Sequence, residues 1–357
     1  MAYVAVKGGR TAIEQACRYR ELQRMPGISN PLEITQIVEQ LGPLVDRIMG
    51  EGSLYAPDLA ALSIKQAGGD SFEAAFILRA YRTTQPRIGY TPACSTADMR
   101  VIRRISPAFK DIPGGQVLGP TDDYSLRLVN FDLFRDSYNK HHTVVSKLLQ
   151  EAAVTEAVPE TFPKLVDLLR REGLLEEGDR HEPQIEDVTR ESMQFPAARS
   201  AALQTLARGE SGGMLCLAYS NMRGYGSVHP TIGELRVGYL SVETIHPHTG
   251  QSYIVGEVKV TEAEIISKTF TATGVPRMTL GYGLCFGHNE TKAISMAVLD
   301  RSMQAERPEA PSEDEEFVLS HVDGIESMGF CNHFKLPHYV TFQSQLDRLR
   351  KTLQEEE

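Results

Sequence analysis

The chain of 357 residues has no tryptophan, no Cys-x-x-Cys pair and no G-x-x-x-x-G-K-[ST] phosphate loop. Its five cysteines, at positions 17, 94, 216, 285 and 331, are scattered and odd in number. That excludes the disulfide framework of small secreted proteins; free thiols in a reducing cytoplasm are the expectation. No apolar run approaches the ~20 residues that span a bilayer, so no membrane segment is expected. The opening MAYVAVKGGRTAIEQ lacks the apolar core of a secretory signal, and none is expected there. Positive charge is also short, with 37 Lys and Arg against 47 Asp and Glu and a formal net charge of −10. This argues against a general nucleic-acid binder, which normally carries a basic domain, but leaves room for a local basic pocket that takes a small anion.

What is present is ordinary for a globular protein: 41% hydrophobic and 24% charged residues, in a length that suggests about two domains. The first third reads as helical. Asn30, Pro31 and Glu33 form a helix start, with Ile37, Leu41, Leu44 and Ile48 at helical spacing and Pro43 expected to bend or split the helix. Residues 58–67 form another helix stopped by Gly68 and Gly69, and Asp70 with Glu73 caps the next. Residues 95–105 are also expected to be helical, and 106–127 to be a loop. Helices are predicted over 140–157 and 164–171, and the acidic stretch 172–191 reads as a linker. After a helix over 196–208, the character turns to strands over 214–219, 235–242, 253–260 and 279–286, with a hairpin at 246–250. A helix over 291–303, an acidic loop over 306–316 and an amphipathic C-terminal helix complete the chain. The expected fold class is α+β, a helical N-terminal region followed by a mixed antiparallel-sheet and helix C-terminal region. The expected division is a mainly helical domain over 1–130, a variable helical linker over 131–192 and an α+β domain over 193–357.

Four stretches carry chemistry. The run 331–339 places His333 and His338 five residues apart on a segment that Pro337 keeps out of a helix interior. Two imidazoles fall short of a closed structural zinc site, so incidental clustering stays open; His321 and Asp323 are further possible ligands. In the loop 110–124, Lys110, Gly114 and Gly115 suit phosphate oxygens, and Asp122 and Asp123 suit a metal or proton transfer. A tight surface turn is the competing reading. Over 223–239, Arg223 and Arg236 offer guanidinium forks for phosphate or phosphonate, beside Glu234, which shares strand parity with Arg236. An exposed hairpin with a solvated Glu–Arg pair competes. The stretch 281–289 (GYGLCFGHN) joins a strand to a helix, where backbone amides favour anions and close packing explains the glycines equally well.

These blocks resemble a known family. KDIPGGQVLGPTDDY, LAYSNMRGYGSVHP followed by GELRVGY, GYGLCFG, DEEFVLSHVD and NHFKLPHYV are similar, in order, to the I subunit of the bacterial carbon–phosphorus lyase core complex, the PhnI family. The opening VAVKGG and the run LSIKQAGGD to LRAYRTT are similar too, and 130–190 resembles the family least. The resemblance covers essentially the whole chain and implies phosphonate catabolism. With companion subunits, such proteins transfer an alkylphosphonate to C1′ of ATP and release adenine, giving a ribose 1-alkylphosphonate 5-triphosphate; the family chain alone acts like a nucleosidase. A radical S-adenosylmethionine subunit of the same assembly then breaks the C–P bond, a step this chain has no cysteine triad to perform. The resemblance also implies zinc on His333 and His338 at the contact with that subunit, and a cytoplasmic hetero-oligomer without nucleic acid or membrane. ATP is the implied substrate, with Mg²⁺ expected on its phosphates. Such a reaction needs a carboxylate against the oxocarbenium charge at C1′, for which Asp122, Asp123 and Glu234 compete. It needs Lys, Arg or backbone amides for the phosphates, for which Lys110, Gly114, Gly115, Arg223 and Arg236 are the candidates. The alternative is an assembly subunit that contributes an interfacial metal site and no glycosyl chemistry.

Overall fold

The computed structural model describes residues 9–24, 27–151, 159, 161–175, 185–226, 230–270 and 274–355. Helices lead: α1 (Arg10–Gln23), α2 (Ile34–Gln40), α3 (Gly42–Gly52), α4 (Pro57–Ala67) and α5 (Ser71–Thr84). Strand β1 (Arg100–Ile105) is followed by α6 (Tyr138–Glu151), α7 (Leu165–Arg171), α8 (Arg199–Arg208) and α9 (Ser211–Ser220). Strands β2 (Thr231–Ile245), β3 (Ser252–Phe270) and β4 (Pro276–Phe286) precede α10 (Glu290–Ser302), α11 (Glu315–His321), α12 (Gly324–His333) and α13 (Tyr339–Glu355). The four strands form one antiparallel sheet in the order β1-β2-β3-β4, so the class is α+β.

Local chemistry sets most boundaries. Asp70 accepts a hydrogen bond from the Glu73 N–H at 3.0 Å to start α5, and Gly68 in the left-handed region ends α4. The proline at 43 falls in the first turn of α3 and separates it from α2. The helix start at Asn30 lies three residues too early. Glu33 is the cap of α2, and its N–H donates to the Gln36 side chain at 2.9 Å in a reciprocal box that fixes the boundary.

Two expected elements are of the other kind. Residues 100–105 form a strand: β1 pairs with β2, and its arginines meet carboxylates from elsewhere in the chain, Arg100 at Glu257, Arg103 at Asp123 and Glu290, and Arg104 at Glu234. Residues 214–219 belong to helix α9. Glu210 caps it, accepting from the Gly212 N–H at 2.9 Å, and Met214 and Ala218, one helical turn apart, are its buried residues. The hairpin at 246–250 and the strand-to-helix passage into α10 are as expected. The linker stretch 172–191 falls partly outside the described residues; of the rest, Leu175 is buried and bridges to Met278 of β4. The last residues of the helix expected over 140–157 also lie outside the described residues.

One face of the sheet packs on α8, α9 and α10 around Leu206, Met214, Leu235, Ala263, Met296 and Leu299. A separate helical core joins Ile37, Ile48, Met49, Ile64 and Leu78 of α2 to α5, with Phe286 packed against it. Glycines bring α10 onto β4. A Cβ on Gly281 would lie 2.2 Å from the Ala297 carbonyl, and one on Gly283 2.1 Å from that of Ala293. The packing reading of GYGLCFG is therefore the structural one. The amides that lead into α10 are engaged as well: His288 N–H donates to Asp46 at 2.8 Å and Asn289 N–H to Thr261 at 2.9 Å. Gly283→Ala must push α10 away from the sheet, at a cost of about 1–3 kcal/mol. Urea unfolding should show that loss; an unchanged midpoint would contradict the packing argument.

Candidate functional site

The second face of the sheet carries charge. Alternation along the strands points Glu234 and Arg236 of β2, Glu262 and Glu264 of β3, and Tyr282 of β4 to one side. Register sets Arg104, Arg236 and Glu262 side by side across three strands, and Glu234, Glu264 and Tyr282 in a neighbouring row. Lys164, just before α7, and Thr96, in a short turn before β1, close over them. Glu262 accepts from Thr96 Oγ1 at 2.6 Å, from Lys164 Nζ at 2.9 Å, from Tyr282 Oη at 2.9 Å and from Arg236 Nε at 2.9 Å. Lys164 also pairs with Glu264. Burial alone would raise the Glu262 carboxyl, but the charges of Arg236 and Lys164 outweigh it and hold the group at about 2. Glu264 goes the other way. Burial, then the neighbouring Glu262 charge, push it up to about 7, with Lys164 opposing only in part. Glu262 and Glu264 are 1% and 3% exposed, so the arrangement seals them from solvent.

Sequence reasoning placed Glu234 and Arg236 together, and the structure brings them to this face. It gives both of them partners. Glu234 pairs with Arg104 and accepts from the Leu165 N–H at 2.9 Å, so both of its oxygens are engaged. Arg236 donates to Glu262 and to the Thr96 carbonyl, the latter at 2.9 Å. Arg223 stands apart and exposed in the turn Asn221–Tyr225, and residues 227–229 after it lie outside the described residues.

The loop 110–124 wraps the edge of β1. Its carbonyls, rather than its amides, face the nearest cation: Arg104 donates to the carbonyls of Pro113 at 2.6 Å and Gly115 at 3.0 Å. Gly115 N–H closes a turn on the Ile112 carbonyl at 2.9 Å. Gly114 has φ 81° and passes so close to Phe162 that a Cβ there would lie 2.9 Å from its ring. Lys110 is exposed. Asp122 is exposed, with Ser125, Leu126 and Arg127 around the same hollow. Asp123 is partly open and pairs with the fully buried Arg103, which also donates to the Leu118 carbonyl at 2.6 Å. The Thr121 hydroxyl, then Arg103 and Arg127, hold the Asp123 carboxyl below its usual value, so it stays ionised at neutral pH.

His333 ends α12 and His338 precedes α13, with Phe334 between them in the connecting turn. The two rings lie 5.2 Å apart at 63°. His333 Nδ1 contacts the Phe330 carbonyl at 2.5 Å, and His338 Nδ1 contacts the Leu336 carbonyl at 2.6 Å. A carbonyl can only accept, so each Nδ1 carries a hydrogen, and in the neutral ring Nε2 is the nitrogen with the free lone pair. Metal-binding imidazoles are oriented in this way. No third ligand gathers there: among the described residues no group of three or more His, Cys, Asp or Glu is placed to hold a metal. Ring nitrogen Nδ1 of His321 is 2.6 Å from the Phe317 carbonyl, and Asp323 caps α12 while pairing with Arg79 and Arg208.

Lys164, Glu262 and Glu264 were absent from the sequence candidates, and Tyr282 stood in the 281–289 stretch without a role of its own. The available signal was the alternation E-A-E at 262–264 in a segment that otherwise reads as a buried strand.

The fold is a helix-flanked sheet with a buried ion cluster on one face and an oriented imidazole pair at an exposed turn, and comparison places the chain among phosphonate-metabolism proteins. Residues 2–356 match the family described as bacterial phosphonate metabolism protein (PhnI), and the chain belongs to that family. A Stutzerimonas stutzeri protein with the provisional name C-P lyase subunit protein HtxH is 54% identical over 99% of this chain and 96% of its own length. Two proteins named alpha-D-ribose 1-methylphosphonate 5-triphosphate synthase subunit PhnI are similar over 99% of this chain. The Rhizobium meliloti protein is 45% identical over 95% of its length, and the Escherichia coli protein 44% identical over 99%.

Glu264 gives a pH signature. The folded protein holds its proton up to about pH 7, whereas the unfolded chain releases it near 4.5, so folding takes up a proton in that window. Stability contributed by the protonated group is complete below 4.5 and is lost as pH rises toward 7, with a slope of up to about 1.4 kcal/mol per pH unit. Glu264→Gln removes that slope. Denaturant titrations at pH 5 and 7.5 should therefore show the variant gaining on the parent protein at the higher pH, and a constant difference would refute the assignment.

Proposed function

We propose that this chain acts in phosphonate catabolism as a subunit of a carbon–phosphorus lyase assembly, transferring an alkylphosphonate to C1′ of ATP and releasing adenine. The observation that carries the reading is full-length similarity, at 44–45% identity, to two relatives whose names state the triphosphate synthase. Surface character supports the subunit role. Leu126, Leu128, Val129, Phe131, Leu133 and Phe134 are each at least 65% exposed within one short stretch, and α6 and α13 have no buried residue. Contiguous apolar exposure of this kind is expected of a protein that is covered by partners.

In the reaction, the bond from C1′ to the purine nitrogen breaks with its electron pair leaving on the base, which takes up a proton. A phosphonate oxygen forms the new bond to C1′. Oxocarbenium charge at C1′ calls for an ionised carboxylate open to substrate. Asp123 meets both conditions, fixed by Arg103 and ionised at neutral pH. Asp122 lies beside it in the open, whereas Glu234 is sealed against Arg104. His333 and His338 would hold zinc through Nε2, with the remaining ligands coming from a partner such as a radical S-adenosylmethionine subunit. Bound there, zinc supplies a fixed positive charge at the subunit contact. Mg²⁺ would accompany the ATP phosphates.

A second reading, an assembly subunit without glycosyl chemistry, is favoured by the sealing of Glu234 and the closed turn at Gly114 and Gly115. Substitution separates the two. The assembled complex given ATP and methylphosphonate should release adenine, and Asp123→Asn should lower kcat by about 10²-fold. Unchanged release in both Asp122→Asn and Asp123→Asn would favour the second reading, and no release by the intact assembly would sink the first. Glu234→Gln should act on folding, because it leaves Arg104 buried without its counter-charge, at about 3–5 kcal/mol. His338→Ala should empty the assembly of zinc, read by metal analysis, while the nucleosidase activity of the isolated chain persists. Equal loss of both would contradict separate sites.

A further inference from the structure

A cleft beside the C-terminal end of α5 is used by none of the roles above. Its outer part, about 530 Å³, is lined by Ser53, Arg82, Thr83, Gln85, Arg87 and Arg190. It shares Ser53, Thr189 and Phe286 with an inner part of about 270 Å³, lined chiefly by Val188, Ala207, Val260, Leu284 and Cys285, with Arg208 at its wall. Helical spacing sets Arg79 and Arg82 one turn apart on α5, and Arg208 reaches them from the end of α8.

Among the described residues the arginines outnumber their counter-charges. Arg79 and Arg208 share Asp323, at 2.6 and 3.3 Å, and Arg87 lies 3.3 Å from Asp187. Glu326 adds a more distant negative charge near Arg208. Arg82 Nη1, Arg79 Nε, Arg208 Nε and Ser53 Oγ are buried without a hydrogen-bond partner among the described residues. Burial, then the charges of Arg208, Arg79 and Arg87, lower the pKa of Arg82. Guanidinium groups held together with unused N–H bonds fit a ligand with several anionic oxygens. The apolar inner part fits a flat, weakly polar body joined to that anion.

We infer that this cleft binds a nucleoside polyphosphate, with the phosphate chain on Arg82, Arg87, Arg190 and Arg208 and the nucleoside in the inner hollow. The inference rests on the reading of ATP as substrate for its choice of nucleotide, and on the arginine geometry for the anion site itself. The site differs from the loop 110–124 and from the histidine pair.

Calorimetric titration of the full-length chain with inorganic tripolyphosphate, ATP and adenosine tests the assignment. Arg82→Gln and Arg190→Gln should each weaken tripolyphosphate and ATP at least tenfold while leaving the ligand-free melting curve in place. Ala207→Phe, which fills the inner hollow, should weaken ATP and spare tripolyphosphate. ATP affinity unchanged in both arginine variants would overturn the site, and ATP and tripolyphosphate falling together in Ala207→Phe would overturn the placement of the nucleoside. Adenine release by the unaltered assembly separates this result from the functional reading. If release occurs while the arginine variants bind ATP normally, only the cleft assignment falls. If tripolyphosphate binds in an arginine-dependent way and no adenine is released, the anion site stands without the transferase.

Discussion

Six ionisable side chains buried between the sheet and its cover, Arg104, Lys164, Glu234, Arg236, Glu262 and Glu264, constrain the rest of the structure. Taking so many charges out of water costs several kcal/mol for each ion unless partners are in place. The partners come from far apart in the chain: Arg104 sits on β1, Glu234 on β2, Glu262 and Glu264 on β3, and Lys164 before α7. The ion cluster therefore cannot form piecemeal. Arg104 alone ties down the 113–115 turn and the 163–165 segment through carbonyls and through Glu234, with Phe162 packed on its guanidinium at 5.0 Å. The loop that looked like a phosphate cradle is thus shaped by an internal cation, and its glycines serve a close approach to Phe162 and a tight turn.

The same dependence explains what the sequence could reveal. Boundaries set within a few residues were legible: Asp70 capping α5, Gly68 ending α4, and the proline that separates α2 from α3. The hairpin between β2 and β3 was legible too, because alternation and turn residues sit side by side. Strand β1 was not. RVIRRI contains three arginines, and nothing within six residues says that Arg103 and Arg104 will be fully buried, since the carboxylates responsible lie at 234 and 290. Met214 to Tyr219 failed for another reason. A short apolar run has no period that separates a strand from a buried helix, and the deciding residue, Glu210, precedes it.

The candidate site was legible where chemistry is local. His333 and His338 sit within one turn of chain, and each is oriented by a carbonyl two or three residues away, so the pair was visible as a spacing. The carboxylates were less so. Asp122, Asp123 and Glu234 looked equivalent as residue types, and only tertiary placement separates them: one open, one open and anchored, one sealed.

Net charge illustrates the point most sharply. At −10 the chain offers no overall basic field, and its sequence candidates for phosphate were Lys110, Gly114 and Gly115 in one loop and Arg223 and Arg236 farther on. Arg103, Arg104 and Arg236 are each matched by a carboxylate in contact, so they raise little positive potential outside the fold. Among the described residues, Arg82 of α5 and Arg208 at the end of α8 are matched incompletely, and both line a hollow. Where a chain is acidic as a whole, the cations that matter for an anionic ligand are those that the fold leaves without a partner. A count of charges along the sequence cannot identify them, because pairing is decided by strand register and helix docking.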